Sequence, residues 1–249
     1  MIVAWWSGGA TSAVACKLAL DKYVDIKVVY IETGSHHPDI LRFKKDCEGW
    51  YGVDIETIQH HKWVNHFEVC EALRFINSAR GAACTTQLKR RVREKWEKGK
   101  DITHYVWGFE KGSKEENRAS RLLVSMPGFG HIFPLIEAGV NKIRALQILT
   151  SVGIRVPEMY RLGYPNNNCI GCPKGGKAYW NKIRVDFPSV FSRMSALERA
   201  IGRSCIKDTF LDELDPKAGR GTPPLVEFCG ATGEGCEIQE SVLNTQQEE

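Results

Sequence analysis

The sequence lacks any long apolar run. No stretch approaches the roughly 18 consecutive apolar residues that cross a bilayer as a helix. The N-terminal segment, residues 1–6, has neither a basic region nor a small-residue cleavage site, so it does not have the form of a secretory signal peptide. These absences predict a cytoplasmic protein that has no membrane partner.

A large excess of one charge is also missing, because 34 basic residues stand against 30 acidic ones and leave a net charge of +4. That balance alone is weak evidence for a polyanionic partner. The positive charge is concentrated in residues 89–95, however. The basic residues at issue are Lys89, Arg90, Arg91 and Arg93. They form either a solvated helix face or a contact surface for phosphate groups or nucleic acid.

Short strand-like apolar segments alternate with helical patterns over the first part of the chain. The strand-like segments are residues 2–6, 26–31, 53–58 and 103–109. This alternation predicts an α/β fold with a doubly wound, mostly parallel sheet of the Rossmann-like type. We expect an α/β domain at residues 1–135, a helical, cysteine-bearing part packed on it at 136–240, and a flexible tail at 241–249.

A glycine loop lies between the first predicted strand and the first predicted helix. Its candidate ligand-binding residues are Ser7, Gly8, Gly9, Thr11 and Ser12. Glycines let a backbone approach a phosphate closely, and the following helix supplies free N–H groups and a positive dipole end. A tight strand-to-helix turn would also favour glycine. The chain has neither Gly-x-Gly-x-x-Gly nor Gly-Lys-Ser/Thr at this loop, which excludes the dinucleotide and Walker motifs.

Nine cysteines occur in the chain, and disulfides are rare in a reducing compartment. Cys169 and Cys172 form a Cys-x-x-Cys motif in a loop rich in glycine, asparagine and proline, which is typical of a metal-binding turn. Two cysteines do not complete a tetrahedral site. A structural zinc bound by these two with Cys229 and Cys236 is one interpretation, and unliganded thiols are another. His60, His61 and His66 fit no common zinc spacing, and we expect them at the rim of the sheet.

Several segments together resemble one family. Residues 7–12 resemble the PP-loop of the adenine nucleotide α-hydrolase superfamily. Residues 30–39 (Tyr-Ile-Glu-Thr-Gly-Ser-His-His-Pro-Asp) resemble the Asp-Thr-Gly-x-x-x-Pro-Glu segment of the phosphoadenosine phosphosulfate (PAPS) reductase family. The stretches 107–121, 133–135 and 157–164 resemble three further motifs of that family, in the same order along the chain.

The resemblance implies an adenine nucleotide as ligand and additional nucleotide-binding residues outside the loop. These are Glu32, Thr33, Gly34, Gly108, Arg118 and Arg121. Two positions depart from the pattern. Thr11 stands where the superfamily has aspartate. The family's arginine after Gly108 is absent, since Phe109-Glu110 stands there. The departures bear on the identity of the substrate more than on nucleotide binding.

The resemblance also implies a [4Fe-4S] cluster, since iron–sulfur members of the family bind one through a Cys-Cys pair and a later Cys-x-x-Cys. Cys84 matches the first cysteine of that pair, and Thr85 replaces the second. The implied ligands are Cys84, Cys169 and Cys172, with the fourth position either open or filled by Cys229 or Cys236. Zinc remains the alternative metal.

Three functions follow from these patterns. The first is a sulfonucleotide reductase that takes adenylyl sulfate or its 3′-phosphorylated form, works with a thiol carrier protein, and uses Cys229 as the attacking nucleophile. The second is an ATP-dependent sulfur transferase that thiolates tRNA or DNA, with Mg²⁺ accompanying ATP. The third is a nucleotide-binding or redox-sensing module without catalysis. A homodimer is the assembly we consider for each.

Overall fold

The computed structural model describes residues 1–78 and 81–224. Its strands are β1 (Ile2–Trp5), β2 (Ile26–Glu32), β3 (Glu56–Gln59), β4 (Asn77–Ser78), β5 (Gly81–Ala82), β6 (His104–Val106) and β7 (Gly130–Ile132). Its α-helices are α1 (Ala10–Lys22), α2 (Ile40–Tyr51), α3 (His66–Leu73), α4 (Arg91–Glu97), α5 (Ser113–Ser125), α6 (Pro134–Glu137), α7 (Lys142–Ser151), α8 (Glu158–Arg161), α9 (Lys177–Asp186) and α10 (Pro188–Ile201). Within those two ranges, no helix combines the length and apolar character that a membrane span requires.

The chain divides into two compact units, and neither is continuous in sequence. The first unit comprises Met1–Glu32, His36–Gln59 and Val92–Gly163. The second comprises Thr33–Ser35, His60–Arg91 and Tyr164–Glu249. This division does not coincide with the boundary expected between residues 135 and 136.

The first unit is built on a five-stranded sheet in the order β3-β2-β1-β6-β7, and every strand pair in it is parallel. The predicted α/β fold with a mostly parallel sheet is therefore confirmed. The central strand β1 is flanked by β2 and β6, so Ile2 pairs with Ile26 on one side and with His104 on the other. A parallel order of this kind places the carboxyl ends of β1, β2 and β6 at one edge of the sheet.

The core of this unit joins the sheet to α1, α2, α6 and α7. Its buried side chains include Trp6, Val14, Phe43, Tyr30 and Leu149. Helix α1 owes its close packing to small side chains, because Ala10, Ala13, Ala15, Cys16 and Ala19 are all buried. The glycine loop at the start of α1 therefore lies on a helix that is fixed along most of its length.

The second unit is mainly helical, apart from the antiparallel pair β4 and β5. A π-helical segment, Thr85–Arg90, precedes α4, and α3 packs against α10. Trp180, Ile183 and Met194 are fully buried here. This matches the helical, cysteine-bearing character predicted for the later part of the chain, although residues 60–91 also belong to the unit.

Candidate functional site

The glycine loop in the first unit is held by one hydroxyl. The Oγ of Ser12 accepts hydrogen bonds from the backbone N–H and the hydroxyl of Ser7, at 3.1 and 2.9 Å, and donates to the carbonyl of Gly9 at 2.9 Å. A hydroxyl has one donor and two acceptor positions, so these bonds use all of them. Ser12 is buried, and it shapes the loop from within.

The backbone at the start of α1 has features that suit an anion. Gly8 has a φ of +80°, which favours glycine, and Gly9 at the N-cap has no side chain that could cap the helix. No acidic residue lies in the first turn of α1. The N–H groups and the helix dipole at such a terminus attract a phosphate or sulfate group.

Gly108 supports the same loop from the adjacent strand. A Cβ at this position would lie 2.7 Å from the Cα of Ser12 and 2.9 Å from its nitrogen. Only glycine permits this approach, since both neighbouring atoms belong to the backbone. Gly108, predicted to bind nucleotide, thus has a demonstrable part in fixing the loop.

A cluster of three polar side chains lies at the end of β2. The hydroxyl of Tyr30 donates to the carboxylate of Glu32 at 3.0 Å and lies 2.8 Å from the Nδ1 of His36. The imidazole and the carboxylate are 3.7 Å apart. The predicted ligand-binding residue Glu32 is therefore oriented by a buried tyrosine, which the sequence motif did not suggest.

The two predicted arginines of α5 differ in their surroundings. Arg118 is buried, pairs with Glu115 and lies over the ring of Phe109, with its guanidinium carbon 4.5 Å from the ring centre. Arg121 is exposed. Phe109, the residue after Gly108, thus packs against the next arginine along the chain.

In the second unit, the segment Thr33–Ser35 contacts the Cys-x-x-Cys turn. The hydroxyl of Thr33 lies 3.2 Å from the Sγ of Cys169, and the carbonyl of Ser35 accepts the N–H of Ile170 at 2.8 Å. Gly34 between them has a φ of +61°, and a Cβ there would collide with the carbonyl of Val64. The motif residues Thr33 and Gly34 are therefore placed against the cysteine turn within this unit.

His66 fixes the same segment. Its Nδ1 lies 2.7 Å from the hydroxyl of Ser35, and its backbone N–H donates to that hydroxyl at 3.3 Å. Only 2% of His66 is exposed. His66 is the first residue of α3 and is enclosed within the second unit.

The cysteine turn is stabilised by one phenol. The hydroxyl of Tyr179 accepts the N–H of Cys172 at 3.0 Å and donates to the carbonyl of Cys169 at 2.9 Å. Burial raises the pKa of Tyr179 well above its ordinary value, so the phenol stays protonated and can serve both partners. Cys172 is buried, whereas Cys169 is half-buried.

The structure does not assemble a metal site from the predicted ligands that it describes. Cys84 is buried at the start of the π-helical segment. Among residues 1–78 and 81–224, no group of three or more His, Cys, Asp or Glu side chains could hold a metal ion. Cys229 and Cys236 lie outside the described residues, so the [4Fe-4S] cluster and its zinc alternative stay predictions.

One further cysteine lies near the turn, and the sequence assigned it no role. The side-chain amide of Asn77 donates to the carbonyls of Pro173 and Cys205, at 2.7 and 3.0 Å, which brings these two backbone segments together. Burial, with the nearby carboxylate of Glu198, raises the pKa of the Cys205 thiol well above its ordinary value. A spacing rule could not find this pairing, because it depends on a third residue far away in the chain.

The basic block is not a single exposed surface. Arg90 and Arg91 are exposed and Lys89 is half-buried, but only 7% of Arg93 is exposed. Arg93 pairs with Glu97 at 3.4 Å. The prediction that Arg93 contacts nucleic acid is therefore corrected, because the guanidinium is enclosed within the first unit.

A glycine loop at the carboxyl end of the first strand of a parallel sheet is typical of α/β domains that bind phosphate groups. Residues 1–175 match the family model of the phosphoadenosine phosphosulfate reductase domain. The chain therefore belongs to the PAPS reductase family.

The fold is similar to that of one solved relative, the phosphoadenylyl-sulfate (PAPS) reductase from Candida auris, in a phosphate complex. The TM-score is 0.50 and the identity 14%, and the likeness covers 68% of this chain and 80% of that chain. At this identity the likeness concerns the fold alone. No curated protein matches the sequence.

Proposed function

We propose that the protein is a sulfonucleotide reductase, with adenylyl sulfate or its 3′-phosphorylated form as substrate. The observation that carries the proposal is the glycine loop, closed by Ser12 and approached by Gly108, in a chain of the PAPS reductase family. In this proposal the start of α1 binds the phosphate group next to the sulfate, with Glu32 on the neighbouring strand facing the nucleotide.

The reaction needs a cysteine thiolate and an external dithiol. The thiolate attacks the sulfur of the substrate and forms an S–S bond, while the S–O bond to the nucleotide breaks and the nucleotide leaves with that electron pair. A thiol of the carrier then attacks the cysteine sulfur and releases sulfite. The second carrier thiol resolves the mixed disulfide, so the dithiol is oxidised as sulfate is reduced to sulfite.

The experiment measures sulfite from adenylyl sulfate and from its 3′-phosphorylated form, with reduced thioredoxin as the dithiol. We expect sulfite from at least one substrate and its loss in Cys229→Ser, the nucleophile proposed from the sequence. Cys47→Ser serves as the control, since Cys47 lies in the core of the first unit. Full activity in both Cys229→Ser and Cys236→Ser would count against the mechanism.

A second function, ATP-dependent sulfur transfer to tRNA or DNA, is favoured by a different observation. Phe109-Glu110 stands where the family has its arginine after the glycine, and Phe109 packs against Arg118, so this part of the family's pattern is altered. Arg90 and Arg91 are exposed, and exposed arginines commonly contact the phosphate groups of a nucleic acid. Pyrophosphate or AMP release that requires both ATP and nucleic acid would support this function. Nucleotide binding without turnover of any of these substrates would support a non-catalytic module instead.

The cofactor is a separate proposal. A [4Fe-4S] cluster would be held by Cys84, Cys169 and Cys172, with the fourth position open or filled by Cys229 or Cys236. Zinc, the alternative, would be held by Cys169, Cys172, Cys229 and Cys236. The support for a metal is the family pattern together with the ordered Cys-x-x-Cys turn. The described residues alone do not form a metal-holding group, so no step of the reaction is derived through a cluster. Anaerobic purification followed by iron, sulfide and zinc analysis tests it. Absence of both metals would contradict the proposal.

A further inference from the structure

A stack of aromatic rings lies in the second unit, in the loop that leads into α3. The ring of His60 stacks on the ring of His61 and on the ring of Trp63, and in both pairs the ring centres are 4.7 Å apart and the planes are inclined by 23°. His61 is exposed, whereas His60 and Trp63 are half-buried. This aromatic stack therefore presents a ring to solvent at His61.

The loop that carries the aromatic stack is held by its own hydrogen bonds. The Nδ1 of His60 accepts the backbone N–H groups of Lys62 and Trp63, at 3.0 and 3.1 Å. The carboxylate of Glu68 accepts the N–H of Val64 at 2.8 Å. The rings are thus held in position, and a surface whose conformation is already set loses little entropy when it binds a partner.

Positive charge accompanies the aromatic stack. Lys62 is exposed, and its Nζ lies 5.2 Å from the centre of the Trp63 ring. Trp63 also packs against a buried cluster that contains Leu88 of the π-helical segment. Arg90 and Arg91, both exposed, follow shortly after Leu88. One region of the second unit therefore combines stacked rings with exposed cations.

We propose that the aromatic stack, together with Lys62, Arg90 and Arg91, forms a binding surface for single-stranded nucleic acid. An unpaired base can extend the stack on His61, while the basic side chains contact phosphate groups of the same strand. Histidine is among the side chains on which unpaired bases stack in RNA-binding proteins. The bases of a duplex are already stacked on one another, so the surface should prefer single strands. The inference goes beyond the proposed reductase and does not depend on it, because the glycine loop takes no part in this surface.

The experiment measures equilibrium binding by fluorescence anisotropy. The probe is a fluorescein-labelled single-stranded RNA of about 16 nucleotides, the upper site size of one single-strand-binding fold. Single-stranded DNA and duplex RNA of the same sequence are the comparison probes. In His61→Ala, affinity for whichever single strand the chain binds should fall by about fivefold or more, because a stacked base is lost.

His61→Phe is the matched variant, since phenylalanine keeps an aromatic face and removes the ring nitrogens. It should bind the single strand like the unchanged chain. A histidine that acted only through its nitrogens would leave both variants equally weak, and that result would contradict stacking. Both substitutions are at an exposed position, so the melting temperature should not change.

Arg91→Ala tests the basic part of the surface. Arg91 donates one N–H to Gln87 at 3.0 Å, and a guanidinium has five such donors. Its loss should weaken binding and lower the dependence of affinity on salt, because one phosphate contact disappears. Lys207→Ala, which removes an exposed lysine after α10, is the control for net charge and should have the smaller effect.

Three results would overturn the inference. They are the absence of single-strand binding by the unchanged chain, equal affinity of the unchanged chain and His61→Ala, and binding of the duplex as tightly as the single strand. None of them bears on the proposed function, which sulfite formation tests separately.

Discussion

Gly108 lies so close to the glycine loop that any side chain at this position would collide with it. In Gly108→Ala the new Cβ would overlap the backbone of Ser12, and no side-chain rotation can relieve that overlap. We expect nucleotide affinity to fall and the melting temperature to drop, because the strand and the loop must separate. Isothermal titration and a thermal unfolding curve measure the two effects.

Gly49→Ala is the appropriate control for that substitution. Gly49 lies within α2, and a Cβ there would have no atom within 4 Å. Alanine is preferred over glycine inside a helix by about 1 kcal/mol, so this variant should be equally or more stable. A Gly108→Ala protein that bound nucleotide like Gly49→Ala would show that the close approach is not required.

Ser35 connects three parts of the second unit through one residue. Its hydroxyl bonds to the backbone and the ring of His66, and its carbonyl bonds to Ile170 of the cysteine turn. In Ser35→Ala the buried nitrogens of His66 lose these partners, which costs about 1–3 kcal/mol of unfolding free energy. Urea unfolding measures this cost. Ser151→Ala, at an exposed hydroxyl on α7, should stay within about 0.5 kcal/mol, and equal stability of the two variants would contradict the expectation.

At the scale of elements, the start of α2 and the segment before α8 are joined by Asp39. Burial alone would raise the pKa of its carboxyl, but hydrogen bonds from Arg42 and Glu158 and the charges of Arg42 and Arg155 lower it below its ordinary value. A carboxyl with a lowered folded-state pKa adds stability above its unfolded pKa and loses that contribution as the pH falls through its folded pKa. The contacts of Asp39 with Glu158 and Arg155 therefore weaken at acid pH.

Asp39→Asn tests this sensitivity. The stability difference between the unchanged chain and Asp39→Asn should be largest above about pH 5 and should shrink as the pH falls below about 4. Unfolding in urea at a series of pH values measures it. Asp54→Asn, at an exposed position, controls for the change in net charge. A difference that does not depend on pH would contradict the assigned role of the carboxylate.

Periodicity was a good guide to the elements whose residues pack on a continuous face. The predicted strand at 26–31 corresponds to β2. Helical spacing after Asn141 predicts an Asn-capped helix over residues 141–152, and this corresponds to α7. Periodicity failed where the backbone conformation of one residue ended an element. Helical spacing predicts a helix around residues 66–78, but α3 ends at Leu73, since Arg74 takes a left-handed conformation with a φ of +47°. Strand β7 has three residues, too few to show a period.

At the scale of the whole molecule, the candidate site could be predicted only in part, because some of its contacts join residues that are distant in sequence. The glycine loop is local in sequence, so its residues indicated a phosphate site directly. The contacts of Thr33 with Cys169 and of Tyr160 with Ala10 join residues more than a hundred positions apart, and no spacing rule relates them. The chain passes from one unit to the other five times, so each unit contains stretches that are far apart in sequence. Such distant pairs are therefore common within each unit.

This interleaving predicts how a shortened chain would behave. A fragment of residues 1–163 contains the whole first unit and α3. It lacks α10, against which α3 packs in the second unit of the full chain. Phe67 and Val69 of α3 are buried in the full chain, and the guanidinium carbon of Arg193 lies 4.3 Å from the centre of the Phe67 ring. We expect the fragment to bind a hydrophobic dye and to melt at a lower temperature than the full chain, because this apolar surface becomes exposed. Dye fluorescence and circular dichroism melting measure both effects, and a fragment that matched the full chain in both would show that residues 60–91 fold without their later partners.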